Sequence, residues 1–152
     1  MNGVTKAHIR IFFGALLLAS SSLLSGCLRS TEPQASQLQL NGSWSYAGVQ
    51  TGPVPETLTG TLTISHESGT SFQGNLVLTA LNGQTGQSRV LNGSLSGSES
   101  GTDVIDFDAN LESTQRRHVG RIVADTITGT WIITSPNGPM SSGTFRVERE
   151  TR

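Results

Sequence analysis

Residues 58–64 read Leu-Thr-Gly-Thr-Leu-Thr-Ile, an apolar-x-Gly-x-apolar-x-apolar pattern that recurs along the chain. Alternate residues of a strand point to opposite faces, so the glycine shares one face with the apolar residues, and Thr, Ser, Asn and Gln occupy the other. A glycine inside a strand weakens it unless it relieves crowding or allows a sharp bend, which closed barrels need. The repeat therefore predicts a curved sheet. Further copies occupy residues 40–46, 72–78, 91–95 and 127–133, with weaker ones around Gly120 and Gly143.

The repeat and the turns between its copies predict an all-β fold of eight strands. Eight short antiparallel strands joined by turns favour an up-and-down meander that closes as a small barrel, because closure removes both exposed sheet edges. The first and last strands should then pair, with Trp44 near Gly143 and Phe145 on the inner face. The predicted strands lie at residues 37–46, 57–65, 71–80, 88–96, 103–111, 117–124, 127–134 and 142–149.

Three Asn-Gly pairs test the assignment of turns, since this dipeptide between apolar runs is a strong hairpin signal. Asn82-Gly83, followed by Gln84-Thr85-Gly86, is predicted as a turn. Asn41-Gly42 and Asn92-Gly93 are placed within strands instead, because other copies of the repeat have Thr or Gln in the position of Asn.

The composition describes a small domain without internal disulfide bonds. Cys27 is the only cysteine among the 152 residues, so no disulfide can form within the chain, and the fold must rest on apolar burial and strand hydrogen bonds. Frequent Gly, Ser and Thr and the lack of a long helical period after residue 26 favour strands. Ten Lys and Arg residues against eleven Asp and Glu give a net charge of −1, so we expect no nucleic-acid binding.

The N-terminal segment has the order of a secretion signal. Lys6 and Arg10 form a short basic head, residues 11–18 form an apolar run, and small residues 19–22 follow. The apolar run is well short of the roughly 20 residues of a membrane-spanning helix, so we expect a signal peptide that is removed. Leu24-Ser25-Gly26-Cys27 then resembles the lipobox of bacterial lipoproteins. The alternative is an ordinary secreted protein with one unpaired thiol.

The lipobox resemblance implies that residues 1–26 are cleaved and that Cys27 becomes the first residue, with covalent lipid on its sulfur and amine. Two or more acyl chains anchor a protein stably, whereas one chain does so only marginally. Leu28 stands where an aspartate commonly retains a Gram-negative lipoprotein in the inner membrane. The expected location is therefore the cell envelope, at the outer membrane in a Gram-negative cell. Residues 27–36 should form a flexible tether, and residues 37–152 the barrel domain.

Two strand phrases resemble known barrel families. Gly42-Ser43-Trp44 is similar to the Gly-x-Trp signature of lipocalins, and residues 127–131, Ile-Thr-Gly-Thr-Trp, are similar to a strand phrase of avidin-type barrels. Both families are eight-stranded meanders that hold a small ligand inside the barrel, which is what the resemblance implies. Lipocalins also place an arginine of the last strand against the tryptophan, and Arg149 has the inward register for this role. Avidin-type sites have an asparagine where this chain has Tyr46, which departs from the biotin-binding pattern.

The topology does not bring catalytic residues together. His66 should close the second strand at the end of the barrel that holds both chain ends, and His118 should open the sixth strand at the other end, so they cannot share a metal ion. No Gly-x-Ser-x-Gly nucleophile motif is present, and lipidation would block the thiol of Cys27. We therefore predict no enzyme activity, no metal and no cofactor beyond the covalent lipid.

Three aspartates lie close together at Asp103, Asp106 and Asp108. Their spacing and the apolar residues between them do not match a calcium-binding loop. We expect Asp106 and Asp108 on the solvent face, opposite Arg121 of the next strand, as cross-strand ion pairs.

The longer, proline-containing loops should gather at the end opposite the chain termini. Functional residues concentrate on such loops, so a binding mouth is expected there. Arg116, Arg117 and His118, near Glu112, form a candidate anion-binding cluster at this mouth, and a solvated loop is the plainer interpretation. The loops in question span residues 47–56, 81–87, 112–116 and 135–140.

Two functions remain open. The first is a non-enzymatic structural or interaction module of the envelope, with another envelope protein as its partner. The alternative is a lipocalin-like carrier of a small apolar ligand, with Trp44, Tyr46 and Trp131 in the barrel interior. The free volume inside the barrel distinguishes the two functions, because a carrier needs an internal cavity, whereas bulky inward side chains would fill an eight-stranded barrel. The predicted inward positions hold Trp44, Tyr46, Leu62, Ile64, Phe72, Leu76, Leu78, Phe107, Trp131, Ile133 and Phe145.

Overall fold

The computed structural model describes residues 39–136 and 138–151, which form a closed antiparallel barrel. The predicted eight-stranded meander is confirmed, because each strand pairs with its neighbours in chain order and the first pairs with the last. No helix in this part of the chain is long and apolar enough to span a membrane. The strands are β1 (Gly42–Gly52), β2 (Glu56–Ser68), β3 (Ser71–Asn82), β4 (Ser88–Ser100), β5 (Val104–Leu111), β6 (Thr114–Val123), β7 (Thr126–Ser135) and β8 (Gly138–Arg149).

Residues 1–38 lie outside the described part of the chain. The signal peptide over residues 1–26, the lipobox residues Leu24, Ser25, Gly26 and Cys27, and the tether over residues 27–36 all fall there. These assignments stay predictions.

Pairing of β1 with β8 closes the barrel, in a register that differs from the predicted one. Trp44 lies opposite Arg149, and Gly143 lies opposite both Gln50 of β1 and Trp131 of β7. The expected contact of Trp44 with Gly143 and Phe145 is therefore wrong. A Cβ atom at Gly143 would come within 2.6 Å of the Trp131 ring, so the missing side chain makes room for Trp131 rather than for Trp44.

The turn between β5 and β6 is shorter than predicted, because β6 begins at Thr114 and not at residue 117. Only Glu112 and Ser113 separate β5 from β6, and their φ angles of 50° and 68° are typical of a tight two-residue hairpin. The predicted loop over residues 112–116 is therefore wrong. Arg116 belongs to strand β6, where period-two alternation decides the direction of its side chain.

Two of the three Asn-Gly pairs lie as predicted, and the third lies at the start of a strand rather than inside it. Asn82-Gly83 lies at the β3–β4 turn, where the Asn82 side-chain oxygen accepts hydrogen bonds from the backbone N–H groups of Gln84 and Thr85 at 2.8 and 2.9 Å. Gly42 begins β1, and Asn92-Gly93 lies inside β4. The Asn82 side chain satisfies two backbone donors and so stabilises its turn. Ladder pairing holds Asn92-Gly93 and Gly42 in strands, whereas Asn41 precedes β1.

Inward glycines stand where neighbouring strands come closest. A Cβ atom at Gly93 would lie 1.6 Å from the carbonyl oxygen of Asn110, and one at Gly60 would lie 1.9 Å from that of Val77. Neither position can carry a side chain without moving the adjacent strand. This close approach supports the interpretation of the repeat as a device that lets the strands coil into a closed barrel. Every apolar residue predicted to face inward is buried.

Trp44 and Arg149 cover the end of the barrel where β1 begins and β8 ends, here named the closed end. The indole N–H of Trp44 donates a hydrogen bond to the carbonyl oxygen of Leu40 at 2.9 Å. The Arg149 guanidinium lies over the Trp44 ring, 4.2 Å from its centroid, and donates to Asn41 O at 2.9 Å and to Asp125 Oδ1 at 3.0 Å. This is the arginine–tryptophan contact that the lipocalin resemblance implies.

Candidate functional site

A pocket of about 480 Å³ opens at the opposite end of the barrel, inside the rim formed by the β1–β2, β5–β6 and β7–β8 turns. We call it the mouth pocket. Its volume lies within the roughly 300–1,000 Å³ range of small-molecule sites. The sequence predicts a binding mouth at this end. The pocket is lined by the apolar residues Pro53, Val90, Leu91, Leu111, Ile133 and Met140 and by the polar residues Gln50, Arg89, Glu112, Thr114, Arg116 and Ser141.

Arg116 is a buried cation in the wall of this pocket. Only 4% of the residue is exposed, and its guanidinium carbon lies 4.8 Å from the centroid of the Trp131 ring. Nε and Nη1 of Arg116 and Nε1 of Trp131 have no hydrogen-bond partner among the described residues. Burial lowers the pKa of Arg116 below its ordinary value. Because an unpaired buried polar group costs about 1–3 kcal/mol, these donors favour the binding of a hydrogen-bond acceptor.

A second arginine at the mouth already has its counter-ion. Arg89, half exposed at the start of β4, makes a two-point ion pair with the buried carboxylate of Glu56, with Nη2 at 2.9 Å from Oε2. Both carboxylate oxygens are therefore engaged by Arg89. The charge of Glu56 raises the pKa of Arg116 and the charge of Arg89 lowers it, so these two influences oppose each other. Within the described residues, the pair leaves Arg116 without a hydrogen-bonded counter-ion.

His118 follows Arg116 on the inner face of β6 and is fully buried. Its Nδ1 lies 3.2 Å from the backbone carbonyl oxygen of Arg116, which can only accept, so Nδ1 carries the proton. Nε2 is then an acceptor for the Tyr46 hydroxyl at 3.3 Å. Burial lowers the pKa of His118 to about 3 and raises the pKa of Tyr46 above its ordinary value. Both groups are therefore neutral at pH 7, and the imidazole stacks on Phe107 with centroids 4.4 Å apart.

The structure separates the three residues predicted as a cluster at the mouth. Arg116 and His118 point into the barrel, whereas Arg117 points to solvent and bonds Asp106 through Nε at 3.2 Å. A strand cannot present three consecutive side chains to one site, because successive side chains point to opposite faces. The candidate anion-binding group is therefore corrected from an exposed cluster to the buried Arg116.

The tryptophans and the tyrosine predicted for the barrel interior are all buried there, but not at one site. Trp131 contacts Arg116 at the mouth end, and Tyr46 contacts His118 in the middle of the barrel. Trp44 lies at the closed end, away from the pocket. The structure therefore assigns Trp131 to the candidate site and gives Trp44 a place in the closure of the barrel.

The acidic residues in β5 and just before it pair differently from the prediction. Asp106 bonds Arg117, and Asp103 bonds Arg121 at 2.5 Å. The register places Asp108 opposite Arg117, so the predicted pairing of Asp106 and Asp108 with Arg121 is shifted along the ladder. Across residues 39–136 and 138–151, no three His, Cys, Asp or Glu side chains gather where a metal ion could bind.

Sequence reasoning missed the ion pair of Glu56 with Arg89. The two residues are 33 positions apart and belong to β2 and β4, which are separated by β3, so no local pattern joins them. The sequence did contain a signal that Arg116 faces inward, because it lies two and four residues before the inward positions His118 and Gly120 in the alternation of the strand. That signal was hidden by the placement of the start of this strand at residue 117.

Solved structures of designed barrels share this fold. The structure of EF1p2_mFAP2b bound to DFHBI is 14% identical, covers 73% of this chain and 94% of that chain, and gives a TM-score of 0.59. A redesigned β-barrel, mFAP1, bound to DFHBI is 16% identical over 72% of this chain and 94% of that chain, with a TM-score of 0.55.

A de novo designed fluorescence-activating β-barrel is 12% identical over 72% of this chain and 93% of that chain, with a TM-score of 0.53. At such low identity, these similarities establish the fold of the barrel. No family model matches the sequence, and no curated protein matches it.

Proposed function

We propose that this barrel binds a small organic molecule in the mouth pocket and does not transform it. The observation that carries the proposal is the buried pair of Arg116 and Trp131: Nε and Nη1 of Arg116 and Nε1 of Trp131 have no hydrogen-bond partner among the described residues, and Arg116 lines the pocket. Buried polar groups in folded proteins are nearly always hydrogen-bonded. A bound molecule that supplies an acceptor to Arg116 would satisfy that rule.

The walls of the mouth pocket support the same function. Leu91, Leu111 and Ile133 offer apolar surface around one strong donor, which is the usual composition of a small-molecule site. Two of the designed barrels with this fold are bound to DFHBI, which is consistent with a ligand-binding barrel here. His118 and Tyr46 are neutral and bonded to each other, so they favour a binding role over acid–base chemistry.

Plugging the mouth tests this function. The full chain should bind members of a panel of small organic acids, alcohols, amines and neutral aromatics saturably in isothermal titration calorimetry. Thr114→Trp places a large ring inside the rim and should abolish binding, because Thr114 lines the pocket. Thr79→Trp adds the same ring at an exposed position of β3 outside the pocket and should leave binding unchanged. Absence of binding across the panel would reject the proposal and leave an envelope structural or interaction module.

We also propose that the chain is a lipid-anchored lipoprotein of the cell envelope, modified at Cys27. The support is the lipobox resemblance at Leu24-Ser25-Gly26-Cys27 together with the absence of any other cysteine. Cys27→Ser should move the protein from the membrane fraction to the soluble fraction of a bacterial host. Ser30→Ala, three residues away, is the matched control and should stay with the membranes. Unchanged fractionation of the Cys27→Ser chain would contradict the anchor.

A further inference from the structure

The charges around the mouth pocket leave one buried positive charge uncompensated. Arg89, Arg116 and Glu112 line the pocket, and the carboxylate of Glu56 is bound to Arg89. Glu112 lies on the exposed β5–β6 turn, where water solvates it. Arg89 and Glu56 neutralise each other, so Arg116 is the remaining buried charge at this pocket among the described residues. A buried charge without a partner is strongly unfavourable, and a ligand of opposite charge would remove this cost.

The chemistry of a guanidinium selects among head groups. Its N–H groups form a planar fork that matches the two oxygens of a carboxylate, and the resulting hydrogen bonds are assisted by charge. A hydroxyl group could accept a hydrogen bond from Arg116 but would leave the charge in place. An ammonium group would be repelled. A dianion would bring a second negative charge toward the carboxylate of Glu56, so a single negative charge fits this pocket best.

The apolar lining and the volume describe the rest of the ligand. Leu91, Leu111 and Ile133 surround the approach to Arg116, and Val90 and Met140 extend this apolar surface to the rim. A pocket of about 480 Å³ accommodates a compact molecule and not a large lipid.

We infer that the mouth pocket binds small organic monocarboxylates, with the carboxylate on Arg116 and the apolar body against Leu91, Leu111 and Ile133. This inference rests on the proposed binding function. It adds the charge class of the ligand and the residue that recognises it. Trp131 supports the recognition by holding the guanidinium from one face, with its ring centroid 4.8 Å from Cζ of Arg116.

Three probes with one alkyl chain test the head group. Decanoate, decanol and decylamine are titrated at pH 7 into the full chain by isothermal titration calorimetry, below the concentrations at which they aggregate. Decanoate should bind about tenfold to hundredfold more tightly than decanol, as expected for a hydrogen bond to a charged group. Decylamine should bind most weakly, because its charge has the same sign as that of Arg116.

Matched arginine variants test the recognising residue. Arg116→Met keeps the length of the side chain and should remove the preference for decanoate over decanol, whereas Arg116→Lys should retain part of that preference. Arg117→Met is the control, since Arg117 points to solvent and bonds Asp106. Thermal melting checks that each variant is folded. In the unsubstituted protein, the ¹H–¹⁵N signal of Arg116 Nε should shift more with decanoate than with decanol at equal saturation, which provides a test that needs no variant.

The outcomes separate this inference from the function on which it rests. Equal binding of decanoate and decanol, or a preference for decanoate that survives in Arg116→Met, would overturn the carboxylate site while a binding protein remains. Binding of a neutral panel compound without any binding of decanoate would do the same. Failure of every compound would reject the binding function itself.

Discussion

The barrel contains two stacked arginine–tryptophan pairs, one near each end of its interior, and they differ in how their polar atoms are satisfied. At the closed end, Arg149 covers Trp44 and donates to Asn41 and Asp125, while the indole N–H bonds Leu40. At the mouth end, Arg116 covers Trp131, and Nε, Nη1 and the indole N–H have no partner among the described residues.

The same pair of residue types can either complete a structure with its hydrogen bonds or leave polar atoms without a partner where a ligand could bind. At the closed end, Arg149 of β8 donates hydrogen bonds to Asn41 and Asp125, so these bonds stabilise the fold by joining three segments of the chain. The mouth end is lined by apolar residues and a buried donor that the chain does not use, which is the arrangement expected where a ligand binds. Stability should therefore depend on the first pair and binding on the second.

The largest effect should come from truncating the packed interior. Leu76→Ala should lower the free energy of unfolding by about 2–5 kcal/mol, because Leu76 is fully buried and its loss leaves a sealed cavity. Leu91→Ala should cost less, about 1–2 kcal/mol, since Leu91 borders the mouth pocket and its truncation enlarges space that already reaches water. Urea denaturation followed by circular dichroism measures both. Equal losses would mean that the mouth is packed as tightly as the core.

The second effect compares the two arginines directly. Arg149→Met should lower the free energy of unfolding by about 2 kcal/mol, because it removes the hydrogen bonds to Asn41 and Asp125 and the cation–π contact that covers Trp44. Arg116→Met should leave the free energy of unfolding unchanged or raise it by about 1 kcal/mol, because removal of an unpaired buried charge is often neutral or stabilising. Chemical denaturation of the ligand-free proteins provides the measurement. A larger loss in Arg116→Met than in Arg149→Met would contradict the assignment of the two pairs.

The third effect concerns pH and the buried imidazole beside Arg116. Burial, aided by the charge of Arg116, lowers the pKa of His118 to about 3 in the folded state. Below its unfolded pKa of about 6.5 the unfolded chain binds a proton that the folded chain does not, so the stability present above that pH is lost as the pH falls. The expected loss between pH 7 and pH 5 is about 2 kcal/mol.

Non-titrating variants measure the share of His118 in this loss. His118→Gln should flatten the decline in the free energy of unfolding between pH 7 and pH 5, a window above the range in which most carboxylates titrate. His66→Gln is the control for the general effect of removing one histidine. An equally steep decline in His118→Gln would show that the imidazole titrates alike in the folded and unfolded states.

Most of the fold could be predicted because its signals are local. The alternation of apolar and polar residues around Gly60 and Gly93 indicates both a strand and its inward face. The Asn82-Gly83 turn is indicated by adjacent residues alone. The prediction was wrong where the start of a strand determined whether a residue was assigned to the strand or to a loop. With the β5–β6 turn placed over residues 112–116, Arg116 became a loop residue, although its parity with His118 marks it as inward.

The candidate site was predictable only in its position at the mouth and in two of its residues, Arg116 and Trp131. Arg116 was predicted as an anion-binding residue, but in a cluster with Arg117, which points to solvent in the structure. Glu56 and Arg89 could not be paired from sequence, because the register of three strands brings them together. Which donors lack a partner is likewise visible only after every neighbour has been placed.

Residue order alone was sufficient for the strand count, the inward faces and the closure of the barrel, because alternation and glycine spacing act over a few neighbouring residues. Tertiary structure decided which tryptophan meets which arginine. Trp44 meets Arg149 through the β1–β8 register, and Trp131 meets Arg116 across β6 and β7. Such contacts join residues far apart in sequence, and packing selects them because neighbouring side chains must fit against each other without overlap.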